Sequence, residues 1–224
     1  MIYRNEVKHI LSASDRPLLL GTLRAVMRTD PYHEDTGGRY HIRSLYFDDP
    51  YDRALREKLD GVSEREKFRL RFYNGDTSMI RLEKKVKKGG LGCKISAAVT
   101  PEEAGSIVEG DLSWMKDSGR PLPTELYAKM RAGLRPRTIV DYDRTAFVYA
   151  PGNVRVTLDD HIRTGLRRTD FLNPDCPTIA AGQPVTVLEV KWDEYLPDCV
   201  RQAVQLRGRR ETAFSKYQTC RMYD

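Results

Sequence analysis

The alternation of apolar and polar positions divides this chain into strand-like and helix-like segments. Eight stretches follow the period-two pattern of a half-buried strand: 3–11, 40–48, 64–74, 78–87, 92–99, 138–149, 154–162 and 184–193. They are rich in Val, Ile, Tyr, Phe and Thr. The clearest runs from Arg65 to Tyr73, "REKFRLRFY", where Phe68, Leu70 and Phe72 alternate with Lys67, Arg69 and Arg71. "YNGDTS", "KKGGLG" and "APGN" link consecutive strands, and such short links imply antiparallel neighbours. Helical periodicity appears in "SASDRPLLLGTLRAVM", "DPYDRALREKLDG", "TPEEAGSIVEG", "PTELYAKMRAG" and "LPDCVRQAVQLRG". Several of these open on Ser, Asp or Thr with a nearby proline and close on glycine. Meandering strands with separate helices predict an α+β fold. Eight antiparallel strands are enough to close a barrel that holds a ligand, with the helices packed outside. No repeat, low-complexity run or linker interrupts the chain, so it reads as one domain over 1–224.

The same alternation sorts the charges. Phe68, Leu70 and Phe72 oppose Lys67, Arg69 and Arg71; Ile80, Leu82 and Val86 oppose Arg81, Glu83, Lys85 and Lys87. Lys94 and Ser96 share a face, as do Tyr142, Arg144 and Ala146. Arg155, Thr157 and Asp159 oppose Val154, Val156 and Leu158, and Glu189 and Lys191 oppose Leu188, Val190 and Trp192. Arg4, Glu6 and Lys8 share a face of the first strand. A sheet with one wet face, its cations guarding the edges, explains any single strand. Seven of the eight strands follow the pattern, however, with only Glu6, Glu83, Asp159 and Glu189 as acids on those faces. Like charges on neighbouring strands repel, so such a face calls for an anionic ligand. The sheet either lies open against a nucleic-acid backbone or closes into a polyanion channel. No exposed aromatic pair of the kind that stacks bases is evident, which weighs against nucleic acid. In a channel, the few carboxylates would suit Mg²⁺ or Mn²⁺, hard cations that take oxygen ligands. Cations, a metal ion and positioning are what polyphosphate chemistry requires.

Composition adds limits. The net charge of +6 favours an anionic partner. Cys93, Cys176, Cys199 and Cys220 are widely spaced and the four histidines are scattered, which argues against a structural zinc site and against a disulfide framework. No apolar run approaches a membrane span and no signal-peptide core opens the chain, so the expected location is cytoplasmic, with peripheral association with a membrane partner left open. His9 and His161 read as satisfied strand or surface histidines, and no Ser, His and Asp combine into a nucleophilic triad. Tyr46, Phe47 and Tyr51 are expected to pack the barrel against its helix.

At this point the chain resembles the VTC domain, the catalytic module of polyphosphate polymerases within the triphosphate tunnel metalloenzyme (CYTH-like) superfamily. The resemblance rests on "RNEVKHIL", "IRSLYFDDPYDRALREKLDG", "REKFRLRFY", "IRLEKKVKKGGLGCK", "DYDRTAF", "VRVTLDDHI", "VLEVKW" and "FSKY", in family order from residue 4 to 217. It implies an eight-stranded tunnel, ATP as phosphoryl donor, pyrophosphate or polyphosphate as acceptor and product, and Mn²⁺ or Mg²⁺. It implies phosphate contacts from Lys8, Arg69, Arg71, Lys85, Lys94, Arg144 and Arg155, a metal-binding Glu189, and Lys216 near the tunnel end. Lys67, Arg81 and Lys191 share the charged faces and join the expected phosphate-binding set. Glu6 either holds metal or orients Lys8, while Glu83 and Asp159 are expected to be counter-ions. The superfamily's first-strand signature, E-x-E-x-K, appears here as Arg4-x-Glu6-x-Lys8, which lowers the expectation of simple triphosphatase activity. The alternatives are a metal-dependent triphosphatase or nucleoside triphosphatase in the same tunnel, and a polyphosphate-binding module without turnover.

Overall fold

The computed structural model describes residues 3–206, 208 and 210–222. Ten strands form one antiparallel sheet: β1 (Asn5–Leu11), β2 (Arg28–Thr29), β3 (Arg39–Asp48), β4 (Arg65–Tyr73), β5 (Asp76–Lys88), β6 (Leu91–Val99), β7 (Arg135–Tyr149), β8 (Val154–Thr164), β9 (Ile179–Ala180) and β10 (Thr186–Trp192). Among the described residues seven helices accompany them: α1 (Asp15–Val26), α2 (Arg53–Leu59), α3 (Pro101–Glu109), α4 (Ser113–Lys116), α5 (Pro121–Arg131), α6 (Asp198–Ala203) and α7 (Lys216–Arg221). The fold is α+β, as the alternation predicts, and each of the eight predicted strands is present.

The long strands run in the order β1-β10-β8-β7-β3-β4-β5-β6, with β2 on β7 and β9 on β8. The sheet curls until its two edge strands touch, where Arg4 and Gly92 exchange backbone hydrogen bonds of 2.9 and 3.1 Å. Among the described residues closure rests on that one bridge rather than on a full ladder. The β4–β5 turn is set locally: Asn74 and Gly75 both adopt positive φ, 51° and 74°, the pair of values a tight hairpin needs.

Two apolar cores lie against the convex face. Leu45, Phe47, Phe68, Leu70, Phe72, Ile80 and Leu82 pack under α3, α4 and α5. Val156, Leu158, Leu188 and Val190 pack under α1 and α6. Burying side chains of this size contributes about 1.5–3 kcal/mol each, enough to fix which face points outward. That choice turns the opposite face inward. The last helix, α7, closes one side of the curl: Tyr217 and Cys220 meet Ile42, Tyr46, Val140, Tyr142 and Val187.

Three details differ from expectation. α6 stops at Ala203, well before Gly208. β2, β9 and α4 span two to four residues, too short to show a period. Tyr51 is 75% exposed and packs against nothing large, because the turn before α2 points it outward. That turn is held by Asp48 and Asp49, whose carboxylates accept from the Ala54 and Arg53 amides at 2.8 and 3.0 Å.

Candidate functional site

The inward face lines a single cavity of about 1570 Å³. Every site residue expected from the sequence is on its lining: Glu6 and Lys8 from β1, Lys67, Arg69 and Arg71 from β4, Arg81 and Lys85 from β5, and Lys94 from β6. Arg144 comes from β7, Arg155 from β8, Glu189 and Lys191 from β10, and Lys216 from the first position of α7. The register explains the gathering. Glu83 stands opposite Arg69, Lys85 opposite both Lys67 and Lys94, and Lys8 opposite Glu189.

The centre of the cavity is a chain of charge pairs. Arg69 donates to Glu83 at 2.7 Å and to the Tyr46 hydroxyl at 2.8 Å. Lys94 Nζ reaches the other Glu83 oxygen at 2.7 Å. Arg71 donates to the Ser44 hydroxyl at 3.0 Å and the Tyr142 hydroxyl at 2.9 Å. Arg144 grips Asp159 through two bonds of 2.6 and 2.8 Å, and Lys216 bonds the same carboxylate. Lys8 and Lys191 each bridge Glu6 and Glu189, at 2.9 and 3.7 Å for Lys8 and 3.6 and 2.8 Å for Lys191. Lys85 lies 2.9 Å from Glu6. Arg155 pairs with Asp30 and donates to the Tyr40 hydroxyl at 2.9 Å.

These pairs hold the acids ionised. Burial opposes charge on Glu83, but Arg69, Arg71 and Lys94 overcome it and keep the carboxyl far below its usual range. Burial likewise opposes Asp159, and Arg144 with Lys216 brings it down to about 2. For Glu6 the burial cost is outweighed by Lys85, Lys191 and Lys8 against the push of Glu189, again to about 2. Glu189 is driven well below the usual range by Lys191, Lys8, Lys85 and Arg144, against burial. Lys67 shows the reverse. Burial pushes its amine down to about 7, Arg65, Lys58 and Lys8 add to that, and Asp48 opposes only in part. The result is a cavity of fixed donors, most of them guanidinium or ammonium, aimed at a common space.

A family model for the VTC domain matches residues 3–223, nearly the whole chain. The chain belongs to the VTC domain family. Its fold is similar to that of the PH1819 protein from Pyrococcus horikoshii OT3, at 12% identity and a TM-score of 0.51, covering 96% of this chain and 97% of that one. A protein of Bacillus halodurans is similar at 13% identity and a TM-score of 0.48, covering 85% of this chain and 80% of that one. None of the curated proteins matches the chain.

In this VTC domain the donor set suits a divalent cation at Glu6 and Glu189. Glu189 is buried and Glu6 half-buried; both are ionised carboxylates on adjacent strands facing the cavity, and hard cations accept one or two such ligands with phosphate oxygens completing the shell. Arg4 lines the cavity at the position of the missing first-strand glutamate and is paired with Asp193 at 2.6 Å, so it offers no ligand. A second gathering of ligand-type atoms, Asp143, Asp160 and His161, lies on the opposite side of the wall. Arg39 already bonds both of those carboxylates, at 2.8 and 3.1 Å.

The VTC domain's lining also contains residues that charge alternation overlooked. Tyr46 packs the barrel against a helix, as expected, with its ring 5.1 Å from that of Tyr217 in α7. Its hydroxyl also orients Arg69 in the cavity, because Tyr40, Ile42, Ser44 and Tyr46 share one face of β3 and Leu45 and Phe47 the other. The period-two signal was there, masked by apolar residues on both faces. Tyr142 sits under three cations, with Lys216 Nζ 4.6 Å, Arg144 5.4 Å and Arg71 5.8 Å from its ring centre. Such contacts place cations by the ring quadrupole, which no charge count registers. Lys58 and Arg65 line the cavity as well.

Proposed function

We propose that this VTC domain transfers the γ-phosphoryl group of ATP to the terminal oxyanion of pyrophosphate or polyphosphate inside the tunnel. The observation that carries this reading is the excess of oriented cations over carboxylates on one enclosed lining. The family and the tunnel fold support chemistry on phosphates. Arg69, Arg71 and Arg144 are the groups assigned to the reacting phosphates. Their guanidinium forks are held by Glu83, Tyr46, Ser44, Tyr142 and Asp159, so they need not reorganise as charge shifts. Lys8, Lys94, Arg155, Lys191 and Arg81 bind the flanking phosphates, and Lys85 and Lys216 approach the centre from β5 and α7. A divalent cation, Mn²⁺ or Mg²⁺, bound by Glu189 and Glu6 would neutralise non-bridging phosphate oxygens. The acceptor oxygen forms a bond to the γ-phosphorus as the bond to the β–γ bridging oxygen breaks, and ADP leaves. The acceptor is already anionic, so no side chain need remove a proton. The phosphates share the space with acids that hold the cations in register, which confines catalysis to positioning and electrostatics.

The test is incubation of the protein with ATP and Mn²⁺ or Mg²⁺, with and without pyrophosphate, followed by gel analysis and phosphorus NMR. A ladder of polyphosphate is expected. Orthophosphate alone would make the protein a hydrolase, and unchanged ATP with tight polyphosphate binding would make it a binding module. Arg69→Ala and Glu189→Ala are both expected to abolish product with the fold retained. Continued synthesis by both variants would refute the site.

A further inference from the structure

The charges along the tunnel are matched in one stretch and unmatched in another. β4 runs the length of the lining. Its middle cations, Arg69 and Arg71, face Glu83. At its start the pattern changes. Lys58, Arg65, Lys67 and Lys87 line the cavity there, and among the described residues none lies within ion-pair distance of a carboxylate. They are close together: Arg65 is directly opposite Lys87 across the β4–β5 ladder, and Lys58 reaches in from α2. Lys67 rests on the face of Tyr217, 4.7 Å from its Nζ to the ring centre, and the Asp48 carboxylate behind that ring offsets its charge only in part. The nearest acid on the lining by sequence to the α7 segment, Glu211, is exposed and pairs with none of the four. Crowding shows in Lys58, whose amine is lowered by burial and then by Arg65, Lys8 and Lys87.

The other end of β4 lies roughly 26 Å away at about 3.3 Å per residue. It carries Tyr73, which meets Tyr40 edge-on at 5.9 Å, and Tyr40 stacks on His33 at 3.9 Å. At the Tyr73 end, then, aromatic rings accompany a paired cation, Arg155 with Asp30, whereas at the other end four cations stand without an ion-pair partner among the described residues. Like charges directly opposed on neighbouring strands cost stability, and nothing in the apolar core requires these four. A triphosphate held by Arg69, Arg71 and Arg144 leaves them unmatched. A longer anion of repeating charge reaches them.

We propose that Lys58, Arg65, Lys67 and Lys87 form a binding site for the phosphates of a polyphosphate chain beyond those held mid-tunnel, so that the domain selects long chains over tripolyphosphate. The inference rests on the reading of the tunnel as a phosphate site and adds a length preference to it. The experiment is calorimetric titration of the whole chain with tripolyphosphate and with long-chain polyphosphate at fixed ionic strength. Wild type is expected to bind the long chain at least about tenfold tighter, per chain. The triple variant Lys58→Ala, Arg65→Ala, Lys87→Ala should lose most of that preference while tripolyphosphate affinity stays within about threefold, since none of the three bonds Arg69, Arg71, Arg144 or the groups that hold them and solvent ions screen what remains. A charge-matched control, Arg24→Ala, Lys116→Ala, Arg131→Ala, removes exposed cations outside the cavity and should keep the preference. Equal binding of both ligands by wild type, or a preference surviving in the triple variant, overturns the length site alone. Loss of the preference in the control, or equal competition by an RNA oligonucleotide, overturns it too. Failure of wild type to bind either phosphate overturns the tunnel reading with it.

Discussion

Two ionic clusters stand back to back across the wall of this barrel, built from adjacent residues. Asp143 and Asp160 lie on the outer side; their neighbour Arg144 lines the cavity, and Asp159 is fully buried against it and Lys216. Outside, Arg39 and Arg16 bond the two carboxylates, at 2.8 to 3.1 Å, and His41 and His161 complete the group at 3.1 and 3.0 Å from Asp143. Every charge there has an opposite within the protein. Inside, Asp159 is shared by Arg144 and Lys216, and Glu189 by Lys8, Lys191 and Arg144. The inner cations outnumber the inner acids. The same residue types therefore serve two purposes. The outer cluster is self-contained and joins α1 to the sheet. The inner one is short of negative charge, and that shortage is what a phosphate chain would supply.

The largest break in that comparison comes from removing one arginine from each side. Arg144→Ala should lower turnover by roughly 10²–10³-fold, the usual cost of losing an oriented donor to developing charge. Arg39→Ala should leave turnover within about twofold and cost about 1 kcal/mol or less of stability, because the Arg39 side chain is 37% exposed and its pairs are partly screened. Steady-state rates and denaturant midpoints on the two variants decide it. Comparable turnover losses would mean the outer cluster also shapes the site.

A smaller effect separates counter-ion from ligand. Asp159 is fully buried between Arg144 and Lys216. Asp159→Asn keeps the shape and leaves two buried cations short of charge, which costs on the order of 3–5 kcal/mol. The missing charge is of the kind a phosphate brings. Tripolyphosphate should therefore raise the melting temperature of the variant by more than it raises that of wild type. Equal ligand-induced shifts would show that the anion does not approach Arg144.

Much of this was readable in the chain because two signals coincide on the strands. "REKFRLRFY" places Phe68, Leu70 and Phe72 under the helices and Arg69 and Arg71 in the lumen, as its alternation requires. Glu189 stands between Leu188 and Val190, both fully buried in the outer core, so its inward direction follows from theirs. What the pattern could not supply were contributions from outside the strand period. Lys58 arrives from α2 and Lys216 from α7, and nothing in strand periodicity orients a helix end toward a cavity. The bond from Arg69 to the Tyr46 hydroxyl left no trace in the alternation, because an aromatic residue fits either side of a strand buried on both faces. The closing contact of Arg4 with Gly92 joins the first and last strands of the sheet, and no local pattern specifies a pair so remote.

The finest test concerns Lys67, the inner-face cation for which the family resemblance supplies no role. Its amine is pushed down to about 7 by burial, with Arg65, Lys58 and Lys8 adding to it. In the unfolded chain a lysine titrates near 10.4. Between those two values the unfolded state holds a proton the folded state lacks, so folding stability should rise with pH over that window; below about 7 the full cost of the buried charge is present. A phosphate beside Lys67 reverses the balance by favouring the charged amine. Binding of long-chain polyphosphate just above neutral pH should then take up a fraction of a proton, and affinity should weaken as pH rises through 7. Calorimetry in two buffers of different ionisation enthalpy reads that fraction directly. Lys67→Met should reduce the uptake and flatten the rise of stability with pH. Because the comparison is between two proteins and one ligand, protons exchanged by the polyphosphate itself cancel. An unchanged uptake in the variant would place the phosphates away from Lys67 and leave the amine as a wall residue resting on Tyr217.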